Sequence, residues 1–204
     1  MTKPTSRLLD DLLEDSQYNR FAIPMETGPT KTDGENALNV AVGLGVRNVD
    51  MDTAGNIKMN AWLKAMWKDF RLMWEPAEYE GVDRLFLPTD LIWTPDLSIY
   101  NQADYGLDFA DQNIKQSPHK VVITHEGTIY WIPAIRLNVD CSDDGFVPTE
   151  PANPTEERDC HVKIGSWVMD ARERQFYSPD LYSTSHSELY YYGAVLCPPP
   201  LTDK

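Results

Sequence analysis

No run of 18 apolar residues occurs anywhere in this 204-residue chain, so the sequence offers no membrane-spanning helix. Its first residues, MTKPTSRLLDDLLEDSQ, lack a charged lead followed by an uninterrupted apolar stretch and do not read as a signal peptide. Cysteine is scarce. Cys141, Cys160 and Cys197 form no paired CxxC spacing and no vicinal pair, which excludes the common zinc arrangements and leaves material for one disulfide and one thiol. The histidines His119, His125, His161 and His186 do not cluster, and neither a Ser-His-Asp nor a His-Glu-x-x-His spacing occurs. No carboxylate pair stands out for acid–base work, so the chain is not expected to be an enzyme and no cofactor or metal is implied. Basic residues are outnumbered, 18 Lys+Arg against 32 Asp+Glu, for a net charge of −14. Such a surface repels nucleic-acid phosphates and anionic lipid and attracts cations. Every Asn-x-Ser/Thr candidate also fails, since Asn153 precedes Pro154.

Apolar and aromatic material is plentiful: 42% hydrophobic residues with 6 Trp and 10 Tyr, too much for a disordered acidic chain. The length suits a single domain over residues 1–204. Leu8, Leu9, Leu12 and Leu13 line one side of a helix at about residues 6–18, with Thr5 or Ser6 placed to cap it. The period then becomes two. Leu38, Val40, Val42, Leu44 and Val46 alternate with smaller or polar residues, as expected of a half-buried strand. That strand holds Gly43-Leu44-Gly45, but the third glycine of a dinucleotide loop is missing.

After the turn signal Asp52-Thr53-Ala54-Gly55-Asn56, alternation resumes through Ile57, Met59, Ala61, Leu63, Ala65 and Trp67, predicting a hairpin. Trp62 stands where the pattern asks for a polar residue. A helix competes here, because Trp62, Met66, Phe70 and Met73 recur at a helical period, and periodicity alone does not decide. Val121–Ile123 and Ile129–Ile132 predict a second hairpin, residues 161–169 and Tyr190–Leu196 two further strands. Residues 142–159 are almost wholly polar and form a solvated loop between Cys141 and Cys160, which a disulfide would close. Many short strands and one leading helix predict an all-β, immunoglobulin-like β-sandwich with an N-terminal α-helix.

The segment Trp93-Thr94-Pro95-Asp96-Leu97-Ser98-Ile99-Tyr100-Asn101-Gln102-Ala103-Asp104 resembles the WxPDxxxYNxAD signature of nicotinic acetylcholine receptor extracellular domains and the soluble acetylcholine-binding proteins. Trp62-Leu63-Lys64-Ala65-Met66-Trp67-Lys68-Asp69 is similar to their WLxMxWxD strand, and Gly165-Ser166-Trp167 to the GSW after the second cysteine of their Cys-loop. The leading helix falls in the same place, so the likeness covers roughly residues 6–170.

The resemblance implies a disulfide between Cys141 and Cys160 and a ligand site shared by neighbouring subunits in a ring of five. Trp62 matches the complementary-face tryptophan, Tyr130 and Ile132 the second complementary strand, Tyr100 the principal-face tyrosine, and Trp167 the ring that receives the ligand ammonium. Asp96 would steady Trp167 through nearby backbone amides. A quaternary ammonium has no N–H to donate, so its capture needs several aromatic faces. The implied protein is a homopentamer, extracellular or secreted, that binds a small cation such as acetylcholine or nicotine. Trp67 and Trp93, on the apolar phase, read as core.

Two departures shape the expectation. The 18 residues between Cys141 and Cys160 exceed the usual Cys-loop span, and the apolar core that receptors press on their membrane domain is missing, which favours the soluble binding-protein type over a channel subunit. The vicinal cysteines of the ligand-capping hairpin are also missing. Tyr177–Tyr192 align either with a shortened cap, making Tyr190 and Tyr192 its aromatics, or with the preceding loop and strand, which is preferred. A subunit that assembles without capping a ligand is therefore the rival reading. A sugar-binding or hydrolytic sandwich is a third.

Overall fold

A computed structural model describes residues 3–25, 38–51, 56–103, 120–141, 158–166, 174–177 and 188–195; for 51, 158–160, 174–177 and 188–195 it describes backbone alone. The chain opens with α1 (Pro4–Leu9), which widens into a π-helical segment over Asp10–Asp15. Leu8 and Leu12 are buried and Leu9 and Leu13 partly so, as the leucine pattern requires. The expected Thr5 or Ser6 cap is not formed. The helix starts earlier, with Lys3 at the N-cap and Pro4 in the first turn, where a residue without an N–H costs nothing and its fixed φ already suits the helix.

Among the described residues ten strands follow: β1 (Leu38–Met51), β2 (Ile57–Met73), β3 (Arg84–Pro88), β4 (Leu97–Ile99), β5 (Lys120–Thr124), β6 (Glu126–Trp131), β7 (Ala134–Val139), β8 (Arg158–Ser166), β9 (Arg174–Tyr177) and β10 (Glu188–Val195). Seven form one sheet in the order β3-β5-β6-β2-β1-β9, with β7 also paired to β2; the other three form a sheet ordered β10-β8-β4. β2 is the spine of the larger sheet. It pairs β1 along one side, and along the other β7 through Ile57–Trp62 and β6 from Ala65 onward, the change-over lying where Leu63 N donates to Pro133 O at 3.0 Å. All pairings are antiparallel except β1 with β9. The chain is thus a β-sandwich with a short N-terminal helix.

β2 settles the strand-or-helix alternative for 57–73. Its inward residues are buried alternately from Ile57 to Trp67, and they join β1, β4 and β8 residues such as Val40, Ile99 and Ile164 in one core. Helical recurrence of Trp62, Met66 and Phe70 yields to this, because alternation buries six apolar side chains against a second sheet. Trp67 and Trp93 are core, their rings edge-to-face with centroids 6.0 Å apart. β9 joins the larger sheet and β10 the smaller, so the two described strands are not paired with each other; residues 178–187, on which the two alignments of Tyr177–Tyr192 turn, lie outside the described residues.

The helix end of the sandwich is tied down by a carboxylate. Asp69 is fully buried on the apolar phase of β2. It accepts the Tyr18 hydroxyl at 2.8 Å and the Arg71 guanidinium at 2.8 and 2.7 Å, and Tyr18 in turn accepts the backbone N–H of Trp93 at 3.0 Å. Burial, aided by the Asp69 charge, pushes the Tyr18 phenol well above the ordinary tyrosine range. The unfolded phenol ionises near pH ~10, so this contribution to stability is complete below that and is lost as pH rises beyond it, the unfolded chain shedding its proton first. Melting temperatures followed from pH ~8 to ~11 should fall more steeply for the native protein than for Tyr18→Phe; parallel declines would remove the account.

Candidate functional site

The outer face of β2 carries the residues that the inner phase cannot use. Trp62, Lys64 and Met66 point away from the core there, opposite Gly45, Gly43 and Ala41 of β1 in register. Across the other edge Tyr130 pairs with Met66, and Trp62 with Ala134. Trp62, Tyr130 and Ile132 are 39%, 40% and 52% exposed, so three large apolar side chains share one uncovered sheet face, a costly arrangement in water. Beneath Tyr130 and Ile132 lies a hollow of about 190 Å³ floored by Gly43, Ala65 and Met66 and edged by Lys64. Gly43-Leu44-Gly45 thus acts as a low floor beside an aromatic face, not as a phosphate loop.

Tyr100 belongs to the other sheet. β4 runs into it from Leu97, and its backbone N–H donates to Lys163 O of β8 at 2.9 Å. The hydroxyl end of its ring packs against Gly165, where an added Cβ would stand 2.6 Å from Tyr100 Cζ, so glycine is required for the ring to sit there. The Tyr100 hydroxyl donates to Ser166 O at 2.5 Å. Ser166 is buried, and its own hydroxyl is shared between the two Asp96 carboxylate oxygens at 2.9 and 2.8 Å. Asp96 therefore holds the residue immediately before Trp167, through a serine hydroxyl. Trp167 itself lies outside the described residues.

Asn101 fastens this corner. Its Nδ2 donates to Asp140 O at 3.0 Å and His161 O at 2.7 Å, while its Oδ1 accepts Lys163 N–H at 3.0 Å. One amide side chain thereby joins the end of β7, in the larger sheet, to β8, in the smaller. Beside it Cys141 is buried and disulfide-bonded. Cys160 stands in β8 opposite Gly193, its side chain outside the described residues. Tyr190 and Tyr192 occupy β10 opposite Lys163 and His161, again with only backbone described.

The structure thus gathers Trp62, Tyr130 and Ile132 on one sheet and sets Tyr100 with the segment leading to Trp167 on the other. Two residues with structural weight had no assigned role in the sequence reading. Asp69 announces itself as a charge on the apolar phase of β2, and Asn101 as an amide directly after the site tyrosine. Among the described residues no group of three or more His, Cys, Asp or Glu could hold a metal ion, and no helix is long and apolar enough to cross a membrane.

Comparison with known proteins accords with this arrangement. The profile described as neurotransmitter-gated ion-channel ligand binding domain matches residues 5–192. The chain is 33% identical over 168 residues to acetylcholine receptor subunit alpha-L1 of Schistocerca gregaria, covering 80% of this chain and 26% of that protein. Identity is also 33% to neuronal acetylcholine receptor subunit alpha-6 of Rattus norvegicus, covering 78% of this chain and 29% of the relative. The subunit alpha-4 of Homo sapiens is 33% identical as well, with 80% and 23% covered. The chain spans roughly a quarter of the length of these relatives. With nearly its whole length matched, and in nicotinic-receptor-like form, the chain belongs to the neurotransmitter-gated ion-channel ligand-binding domain family, a family of binding domains and not of enzymes.

Proposed function

We propose that this protein binds a small cationic amine, acetylcholine or nicotine being the type, in an aromatic cage assembled between neighbouring copies of a homopentamer outside the cell. One copy supplies Trp62, Tyr130 and Ile132; the next supplies Tyr100, Trp167 and, from β10, Tyr190 and Tyr192. Cys141 pairs with Cys160. The observation that carries the reading is the division of exposed aromatics: Trp62 and Tyr130 stand on the larger sheet and Tyr100 on the smaller. Exposed rings on two faces of a sandwich are accounted for when adjoining copies bring unlike faces together, in a heterologous contact that closes into a ring. The names of the similar receptor subunits support acetylcholine as the first ligand to test. The polar run between Cys141 and Cys160 supports a soluble binding protein over a channel subunit.

The test is calorimetry with acetylcholine on the native protein, Trp62→Ala and Trp167→Ala, together with sedimentation to count chains. Losing one desolvated ring costs about 2 kcal/mol, or roughly 30-fold in affinity. Equal heats in all three proteins would remove the cage. Failure of excess acetylcholine to raise the melting temperature would instead favour a subunit that assembles without binding.

A further inference from the structure

The outer face of the larger sheet carries charge of the opposite sign to the molecule as a whole. Lys58, Lys64 and Lys68 stand exposed along β2, and Lys120 of β5 and Arg136 of β7 are exposed on the same side of the sheet. Register draws them into one surface, with Lys58 opposite Asn138, Asn60 opposite Arg136 and Lys68 opposite Thr128. Arg47 is the extra residue of a bulge, where β1 and β2 slip between Val46 and Asn48, and it lies beside Arg136 and Trp62. Arg136 Nε donates to Asn60 Oδ1 at 3.2 Å, which ties that guanidinium to the neighbouring strand. Against these six cations the described residues set two acids on the face, Asp50 opposite Lys58 and Glu126 opposite Met73. Arg84 of β3 is ion-paired with its neighbour Asp83 at 3.3 Å and adds nothing net. Six cations less two acids make the face +4, which leaves 12 of the 18 basic and 30 of the 32 acidic residues, −18, for the rest of the chain.

Two such faces brought together repel, whereas this face of one copy and the acidic remainder of another attract, so charge selects a head-to-tail contact between unlike surfaces. The aromatic side chains give a second reason. Trp62 and Tyr130 stand among these cations, and Lys64 lies two residues from Trp62 on the same side of β2, about 7 Å along the strand. In a lone copy that charge opposes an ammonium arriving at Trp62, and carboxylates of a docked copy would cancel it. We infer that the partner of this face is the acidic surface of a second copy, that charge drives the docking, and that cation binding at Trp62 is thereby coupled to assembly. This rests on the ring reading above and adds the force that closes the ring and its control by ionic strength.

Sedimentation of the native protein across a salt series tests this, because the Debye length shortens from about 10 Å at ~0.1 M to about 3 Å at ~1 M. The dissociation constant of the assembly should rise at least about 10-fold between ~0.05 and ~0.5 M sodium chloride, and the calorimetric heat of acetylcholine should fade in step. Lys64→Glu combined with Lys68→Glu, both at exposed positions, should give monomers at ~0.05 M salt whose melting curve matches the native one. Lys64→Gln combined with Lys68→Gln, which removes the charge without reversing it, should fall between. Assemblies that hold equally at every salt concentration and in the reversed variant overturn the inference and leave the ring standing on apolar contacts. Full acetylcholine heat from the monomeric variant overturns the coupling, and no heat at any salt removes the cage and the coupling with it. A native protein that is monomeric even at ~0.05 M salt removes ring and inference together, and its binding of polyglutamate would then assign the face to an acidic partner other than its own copy.

Discussion

Replacing Asp69 with alanine should destabilise the protein by about 3–5 kcal/mol, read as a lowered urea midpoint with unchanged slope. The carboxylate is fully buried and satisfies several donors at once: the Arg71 guanidinium at two nitrogens, the Arg71 backbone N–H at 3.1 Å and the Tyr18 hydroxyl. Removing it strands a guanidinium that is itself mostly covered, its side chain 20% exposed, with only Asn19 O and the Tyr18 oxygen left within reach. Burial works against that guanidinium's charge, and the Asp69 bonds outweigh it. Since a domain of this kind is stable by only about 5–15 kcal/mol, the loss would be a large share. Asp69→Asn, which keeps the shape and one acceptor, should fall between. The effect also reaches toward the site, because Tyr18 holds the N–H of Trp93, and Trp93 opens the segment that delivers Asp96 and Tyr100. A loss below about 1 kcal/mol would show that the carboxylate merely fills space.

The second large effect is expected at Asn101. Alanine there leaves the carbonyls of Asp140 and His161 and the N–H of Lys163 without the partner that now joins the two sheets. At about 1–3 kcal/mol for each unsatisfied group, with water recovering part, the cost should be about 3 kcal/mol. Asn101→Asp is the sharper comparison. It replaces the two donated bonds with a negative oxygen facing two carbonyls, so it should be no better than alanine despite its matched size. Hydrogen exchange at Lys163 N–H should accelerate in both variants. Because Tyr100 is the preceding residue and its own N–H bonds Lys163 O, the acetylcholine binding proposed above should weaken alongside stability. An Asn101→Asp protein as stable as the native one would dismiss the clamp.

Neither Asp69 nor Asn101 carries its tertiary role in the local pattern of the sequence, whereas other parts of the fold do. Alternation placed β1 and offered β2 as a strand on which Trp62 would face outward, because a strand's side-chain period is two and half its positions must meet water. The leucine spacing placed the first helix, though not its start, since a proline in the first turn can replace a side-chain cap. Resemblance supplied the family and the roles assigned to Trp62, Tyr100, Tyr130, Ile132 and Trp167. Residues 57–73 were ambiguous because Trp62, Met66, Phe70 and Met73 satisfy a helical period as well. What decided between them was a partner on each side of β2 and a second sheet to bury against, and neither is a local property.

By itself, then, the order of residues determined which side chains could not be hidden together and which segments would extend. Once residues 57–73 extend as a strand, exposure of Trp62 and burial of Trp67 follow from parity. The tertiary structure decided which distant groups meet. Asp69 joins Tyr18 across 51 positions, Asn101 joins His161 across 60, and the bulge at Arg47 brings β1 into one row with Asn60 and Arg136. Such contacts depend on sheet order and register, which many sequences of the same hydrophobic pattern would satisfy differently, and polar bonds between them are short-ranged enough to exist in only one of those arrangements.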